Sequence, residues 1–299
     1  MKTTFKILVL VLFTLNLTGQ SGDRGLVEIK TTHLAGTVHM LEGRGGNIGV
    51  CAGEDGVFMV DDQFAPLTES IVAAIRDISS KPIEFVVNTH LHGDHIGGNI
   101  NLATMGVKIV AHELVRDRLK NRTVNRQTGE LGPGAPDSAL PHITYSEMLS
   151  FHYNGEEIRI VKMPPAHTDG DSIVHFVNSN VIHAGDVFRT TTYPVIDLNH
   201  GGTFRGTLGA LAYIINLSDD DTIIIPGHGV PSTKADVVKW RKMLTTIASR
   251  IQQSVDTGDK LEEALARNPG LEFNDRWAAP QGWASTETFM TTIFNELNR

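Results

Sequence analysis

Hydrophobic positions along the chain change their period several times. LVEIKTT (26–32), GTVHMLEG (36–43), GNIGVCAG (46–53) and GVFMVDD (56–62) are short apolar or alternating runs. Gly-containing turns such as Glu54-Asp55-Gly56 separate them, and together they predict four strands. From 66 to 79 the spacing lengthens. Ile71, Ile75 and Ile78 mark one face of a predicted helix, and Pro66 suits its first turn. IEFVVNT (83–89) then reads as a buried strand, followed by a helix over 98–105, a strand over 107–111 and a helix near 112–120. After a Gly- and Pro-rich loop, 121–142, the order repeats. Strands are predicted near 148–153, 157–163, 173–178 and 180–185, then a helix at about 206–217, the strand DTIIIPG (221–227) and a helix near 233–256. The remainder reads as helical, with Trp277 and Trp283 in between. The repeated order predicts an α/β protein of two similar halves in one domain, with helices covering two sheets.

The first residues follow another pattern. Lys2 and Lys6 precede the apolar run ILVLVLFTL (7–15), and small and polar residues follow in TGQSG. This layout predicts a secretory signal peptide over 1–21, cleaved within 18–21, and a folded domain over 22–299. The run is too short to span a bilayer, so no stable membrane insertion is expected after cleavage, and the location is secreted or periplasmic. Cys51 is the only cysteine, which excludes an internal disulfide and suits a small buried side chain. A formal net charge of −8 argues against nucleic acid as a partner, because phosphate binding needs clustered Lys and Arg. A small-molecule substrate is the expectation; nothing in the sequence fixes an oligomeric state.

The densest chemistry is THLHGDHIGG (89–98), which packs His90, His92, Asp94 and His95 into six positions just after a predicted strand. Imidazole and carboxylate are ligands of zinc and related divalent ions. His90 and His92 can converge on one ion, and Asp94 and His95 can turn towards another. One ion cannot use all four, because their backbones are too close. Two ions need more ligands, and three positions fit: His167 in PPAHTDGDS, Asp186 at the end of VIHAGD and His228 after TIIIPG. Each follows an apolar run, where loops from neighbouring strands can meet. His183 and His175 read as core or strand residues, and His33, His39, His112, His142, His152 and His200 lack a ligand context.

On these residues the sequence resembles the metallo-β-lactamase superfamily, from about Gly46 to Gly229. The resemblance implies a four-layer αβ/βα sandwich with a two-metal site. It implies His90, His92 and His167 on the first metal and Asp94, His95 and His228 on the second. Asp186 matches the bridging carboxylate of glyoxalase II and lactonase members, giving seven ligands. Asp61, in VDDQF, matches an acid that orients ligand imidazoles; by itself it reads equally well as a turn residue. Two Zn²⁺ are implied, with Fe or Mn as other divalent choices.

The implied reaction is hydrolysis of a β-lactam-type cyclic amide, lactone or ester by a metal-bridging hydroxide. Two metals bring the pKa of bound water from about 15.7 to about 7. Asp94 doubles as a catalytic proton carrier. Asp186 stands where cysteine-containing β-lactamases place their cysteine, which shifts the implied substrate from β-lactams towards esters and lactones. A glyoxalase II-like thioesterase and a mononuclear-iron persulfide dioxygenase are the alternatives. In the loop RTTTYPVIDLNHGGTFRG (189–206), Arg189, Tyr193, Asn199 and Arg205 are candidate substrate contacts. Arg189 can pair with a carboxylate through two parallel hydrogen bonds.

Overall fold

The computed structural model describes residues 27–121, 133–282 and 284–299. The predicted signal segment, most of the 121–142 loop and Trp283 lie outside the described residues.

Two sheets form the centre. The first holds β1 (Lys30–Ala35), β2 (Val38–Glu42), β3 (Ile48–Gly53), β4 (Gly56–Val60), β5 (Ile83–Asn88), β6 (Lys108–His112) and β7 (Ile143–Tyr145), adjacent in that order. β1 to β4 pair antiparallel, and β4 to β7 pair parallel. The parallel part needs crossovers. They contain α1 (Thr68–Ile78), α2 (Gly93–Ile96), α3 (Asn99–Thr104) and α4 (Glu113–Lys120). The second sheet runs β13-β12-β11-β10-β9-β8, built from β8 (Met148–Tyr153), β9 (Glu156–Lys162), β10 (Ser172–Phe176), β11 (Val181–His183), β12 (Ile223–Ile225) and β13 (Ser232–Thr233). Its helices are α5 (Phe204–Leu217), α6 (Lys234–Asp256), α7 (Leu261–Ala266), α8 (Leu271–Trp277) and α9 (Thr286–Leu297).

The alternation along each strand decides the layering. Phe58, Val60 and Val87 face the second sheet, where they meet Ile158, Ile160, Val174 and Phe176. Val57, Met59 and Val86 face the other way, onto Ile71, Ile75 and Leu102 of α1 and α3. Ile173, Ile182 and Ile224 pack outward onto α5, α6 and α9 through Leu211, Leu244 and Ile293. This is the expected αβ/βα sandwich.

Boundaries differ where short-range chemistry intervenes. The predicted strand 221–227 shrinks to Ile223–Ile225, because Pro226 has no N–H to give a ladder. The predicted strand 180–185 ends at His183, since Gly185, at φ 51°, turns the chain into a short 3₁₀ segment bearing Asp186. β7 and β13 are too short to leave a period. The long helix α6 starts with a capping box: Thr233 Oγ1 accepts from Asp236 N, while Asp236 Oδ2 accepts from Thr233 N at 3.0 Å. Thr233→Ala is expected to lower stability by about 1 kcal/mol, read from the urea midpoint.

The two sheets join at one end. Asn47 N donates to Gly227 O (2.7 Å) and its side-chain amide donates to Pro226 O and Gly229 O, both at 2.8 Å. Ser172 N donates to Thr89 O at 2.9 Å. The loops that follow β4, β5, β9, β11 and β12 all meet there.

Candidate metal centre

The seven donor residues predicted from the sequence converge at this junction. His90, His92 and His167 bring one ligand atom each within 4.8 Å of one another, and so do Asp94, His95 and His228. Asp186 lies between the two groups. Its Oδ2 is 3.7 Å from His167 Nε2, and its Oδ1 is 3.4 Å from both His95 Nε2 and His228 Nε2. The short helix α2, which no period in the sequence predicts, brings Asp94 to 3.2 Å from His228 and sets the His95 ring 5.3 Å from that of His228 and 4.2 Å from that of His90.

Outward hydrogen bonds fix the proton on each buried ring. The Thr89 hydroxyl gives its hydrogen to Asp61 Oδ2 (2.8 Å), so it accepts from His90 Nδ1–H at 3.0 Å. His92 Nε2–H donates to Asp197 Oδ2 (2.7 Å), His95 Nδ1–H to Asp61 Oδ2 (2.7 Å) and His167 Nδ1–H to the Val195 carbonyl (2.6 Å). A neutral ring then turns its bare nitrogen inward. Burial holds His167 neutral, with its pKa lowered to about 3.

The inward atoms fit a cation. His92 Nδ1 and His167 Nε2 stand 2.7 Å apart, two lone pairs facing each other. His90 Nε2 and Asp186 Oδ1 are buried with no hydrogen-bond partner. An unpaired buried polar atom is costly. Negative charge also gathers: Asp61, Asp94, Asp186 and Asp197 face the cluster, with the Arg189 guanidinium 3.8 Å from Asp186. Burial disfavours charge on His95, but Asp61 and Asp186 outweigh it and push its pKa well up. A cation at Nε2 answers the same field. Burial raises the Asp94 carboxyl, but the His228 hydrogen bond and the His95 charge prevail and hold it at about 2.

Close backbone approach makes room for these groups. A Cβ at Gly227 would lie 2.0 Å from Asp186 Oδ1, and one at Gly46 would lie 2.1 Å from His95 Cε1. Gly227→Ala is expected to displace Asp186 and lower activity at least about tenfold, with the loss appearing in metal content when the protein is dialysed against dilute chelator.

Asp61 sits at φ 62°, just past β4. It accepts from Thr89 N, Thr89 Oγ1 and His95 Nδ1, which orients both the motif backbone and one ring. That unusual φ for a non-glycine residue places its carboxylate under the motif.

Two further acids escaped the sequence reading. Asp197 bridges His92 and His200, accepting from His200 Nδ1 at 2.6 Å, so His200 belongs beside the centre rather than among the unassigned histidines. Asp197 is the only acid in 189–206, but it lies 105 residues from His92, and no spacing rule links them. Asp171, with its pKa raised to about 7 by burial, accepts from His167 N and Thr168 N and fixes that turn.

The expected substrate contacts divide. Arg189 reaches the centre. Asn199 is exposed beside Asp197, donating its backbone N–H to that carboxylate, and Arg205 N donates to Glu296 on α9. Tyr193 does not line the site. It is 1% exposed, stacked on Phe289 at 5.2 Å, with its hydroxyl donating to Asn274 Oδ1. The loop's polar composition concealed this inward anchor. Tyr193→Phe is expected to cost about 1 kcal/mol and to leave kcat/KM unchanged, measured by urea melts and steady-state rates. His183 is a core residue, donating from Nε2 to Asn47 O.

Comparison with known proteins agrees with this architecture. A family model described as the metallo-β-lactamase superfamily matches residues 41–228. The chain is 28% identical over 149 residues to the 2,4-dinitroanisole O-demethylase subunit alpha of Nocardioides sp. (strain JS1661), covering 48% of this chain and 42% of that one. It is 22% identical over 220 residues to a linear primary-alkylsulfatase of Pseudomonas sp. (strain ATCC 19151), covering 62% of this chain and 42% of the relative. The chain thus spans less than half the length of these two relatives. It is 25% identical over 211 residues to the hydroxyacylglutathione hydrolase of Polaromonas sp. (strain JS666 / ATCC BAA-500), covering 70% of this chain and 73% of the relative. Among solved structures, a metallo-β-lactamase from Pontibacter korlensis superposes with a TM-score of 0.59 at 16% identity, covering 73% of this chain and 99% of that one, a likeness of fold. Among the described residues no helix is long and apolar enough to cross a membrane. With the sandwich, the clustered histidines and the matched span together, the chain belongs to the metallo-β-lactamase superfamily.

Proposed function

We propose that the chain is a secreted, dinuclear zinc hydrolase that cleaves the carbonyl of an ester, lactone or β-lactam-type cyclic amide, with 22–299 as its hydrolase domain after loss of a signal peptide. The observation that carries this reading is Asp186, with one oxygen towards the His90, His92 and His167 group and the other towards His95 and His228. His90, His92 and His167 would hold the first ion, Asp94, His95 and His228 the second, and Asp186 both. Two bound ions would supply an acidified water and polarise the carbonyl.

The protein's own groups then divide the work. Asp61 and Asp197 hold the rings of His95 and His92 in position and in the required tautomer. Asp94, with 29% of its side chain exposed, is the most open carboxylate of the set, so an entering substrate meets it first. Held ionised by His228 and His95, it can accept a proton and pass it to the leaving group. Arg189, partly exposed beside Asp186, can receive an anionic group of the substrate. Four acids around the centre and a net charge of −8 disfavour a phosphate-rich polymer.

Substrate choice leans towards an ester or lactone because a carboxylate, Asp186, stands between the two donor groups. The hydroxyacylglutathione hydrolase likeness, which spans 73% of that relative, favours a thioesterase as the second reading. The test is a hydrolysis panel on the zinc-loaded full chain: penicillin, carbapenem, acyl-homoserine lactone, a simple ester and a glutathione thioester. Chelator-sensitive turnover of an ester, lactone or thioester is expected. Absence of turnover on every member, with two zincs bound, would sink the proposal, and one iron per chain would favour a dioxygenase.

A further inference from the structure

The loops that carry Asp186 and His228 have a second face. Past Asp186 the chain buries Phe188 against the Trp240 ring, with centroids 5.3 Å apart, and past His228 it exposes Val230. Between these loops, α6 and α8 lies a cavity of about 470 Å³, walled by Phe188, Thr190, Val230, Trp240, Met243 and Trp277. That volume falls within the range of small-molecule sites, roughly 300–1,000 Å³.

Two observations point to an occupant. Trp240 is 2% exposed, and its indole N–H is buried with no hydrogen-bond partner. A buried indole N–H ordinarily finds an acceptor. An apolar ligand would suit these walls, and an oxygen on it that reached the indole nitrogen would satisfy that donor. Part of the wall also comes from the two loops that carry Asp186 and His228. Thr190 N donates to His228 O at 2.9 Å, and Thr190 Oγ1 accepts from Val230 N at 3.0 Å, so the two ligand-bearing loops are tied together at the cavity. Val230 is two residues from His228, a chain distance of at most about 7 Å. Arg276 stacks over the Trp277 ring at 4.3 Å and donates to Thr190 O, which braces the same wall. Lys239 and Asp236 also line the cavity, one of each charge, 3.9 Å apart.

We infer that this cavity holds the apolar arm of the substrate, a medium-length aliphatic or aryl-alkyl group carrying an oxygen that accepts from Trp240. The inference rests on the hydrolase reading for calling the ligand a substrate; the cavity's taste for apolar chains does not depend on it.

The test uses the full chain and 1-octanol, a neutral chain with one oxygen, followed by tryptophan fluorescence with and without EDTA. Octanol is expected to give a saturable change in both conditions and to bind at least about tenfold more tightly than 1-butanol, since each buried methylene contributes about 0.8 kcal/mol. Val230 is 60% exposed, so Val230→Asp is tolerated by the fold while placing a charge at the cavity. It should weaken octanol at least about tenfold and lower the ratio of kcat/KM for p-nitrophenyl octanoate over acetate by a similar factor. Ester turnover without saturable octanol binding, or an unchanged ratio in Val230→Asp, would overturn the cavity assignment alone. Octanol binding that Val230→Asp abolishes, with no ester, lactone, thioester or β-lactam turned over by the zinc-loaded chain, would support the cavity and overturn the hydrolase reading.

Discussion

His92→Ala is expected to lose bound metal and to lower kcat/KM about 10³-fold or more, with the fold intact by circular dichroism. Metal polarisation contributes several kcal/mol to such reactions, and each 1.36 kcal/mol is a factor of ten in rate. His92 is the sharpest choice for three reasons. Its Nδ1 meets His167 Nε2 at 2.7 Å, the tightest contact between inward nitrogens at the centre. Its Nε2 is held by Asp197, so the ring is fixed before any ion arrives. Its side chain is 14% exposed and lies outside the apolar clusters, so its removal leaves the sandwich packed. Metal content and activity should fall together. Full activity in the variant would refute the assignment.

Chelation should destabilise the protein by about 4 kcal/mol relative to protein in zinc at 1,000 times its dissociation constant. For a chain of this size that corresponds to a fall in Tm of roughly 10 °C. The physical basis is the set of groups a cation reconciles. Lone pairs of His92 and His167 face each other, His90 Nε2 is orphaned in the interior, and four aspartates face one cluster. Differential scanning calorimetry before and after EDTA measures the shift. Equal melting temperatures would mean that these groups reach a comfortable arrangement without metal.

Strand and helix periods carried most of the fold because central strands such as β4 and β10 are buried on both faces. Phe58 and Val57 point to opposite cores, yet both are apolar, so β4 reads as a continuous run. β7 and β13, at three and two residues, hold too few positions to display any alternation. The donor residues were legible because THLHGDHIGG concentrates four of them and the rest follow apolar strands. Their supports were less so. Asp197 meets His92 only through tertiary packing: its backbone N–H donates to His167 O, which sets the loop against the centre. Tyr193 shows the reverse error, an aromatic in a polar loop that folds inward onto α9 through Phe289. Local composition reports how exposed a loop is on average, not which of its residues anchors it.

A pair of ions shared by one carboxylate would unite the two donor groups. The most direct measurement is the metal content of the zinc-reconstituted full chain by mass spectrometry of the dialysed protein, alongside Asp186→Ala. Two zincs per chain are expected in the unaltered protein and fewer than two in the variant. A single ion per chain in the unaltered protein, or two retained without Asp186, would contradict that arrangement.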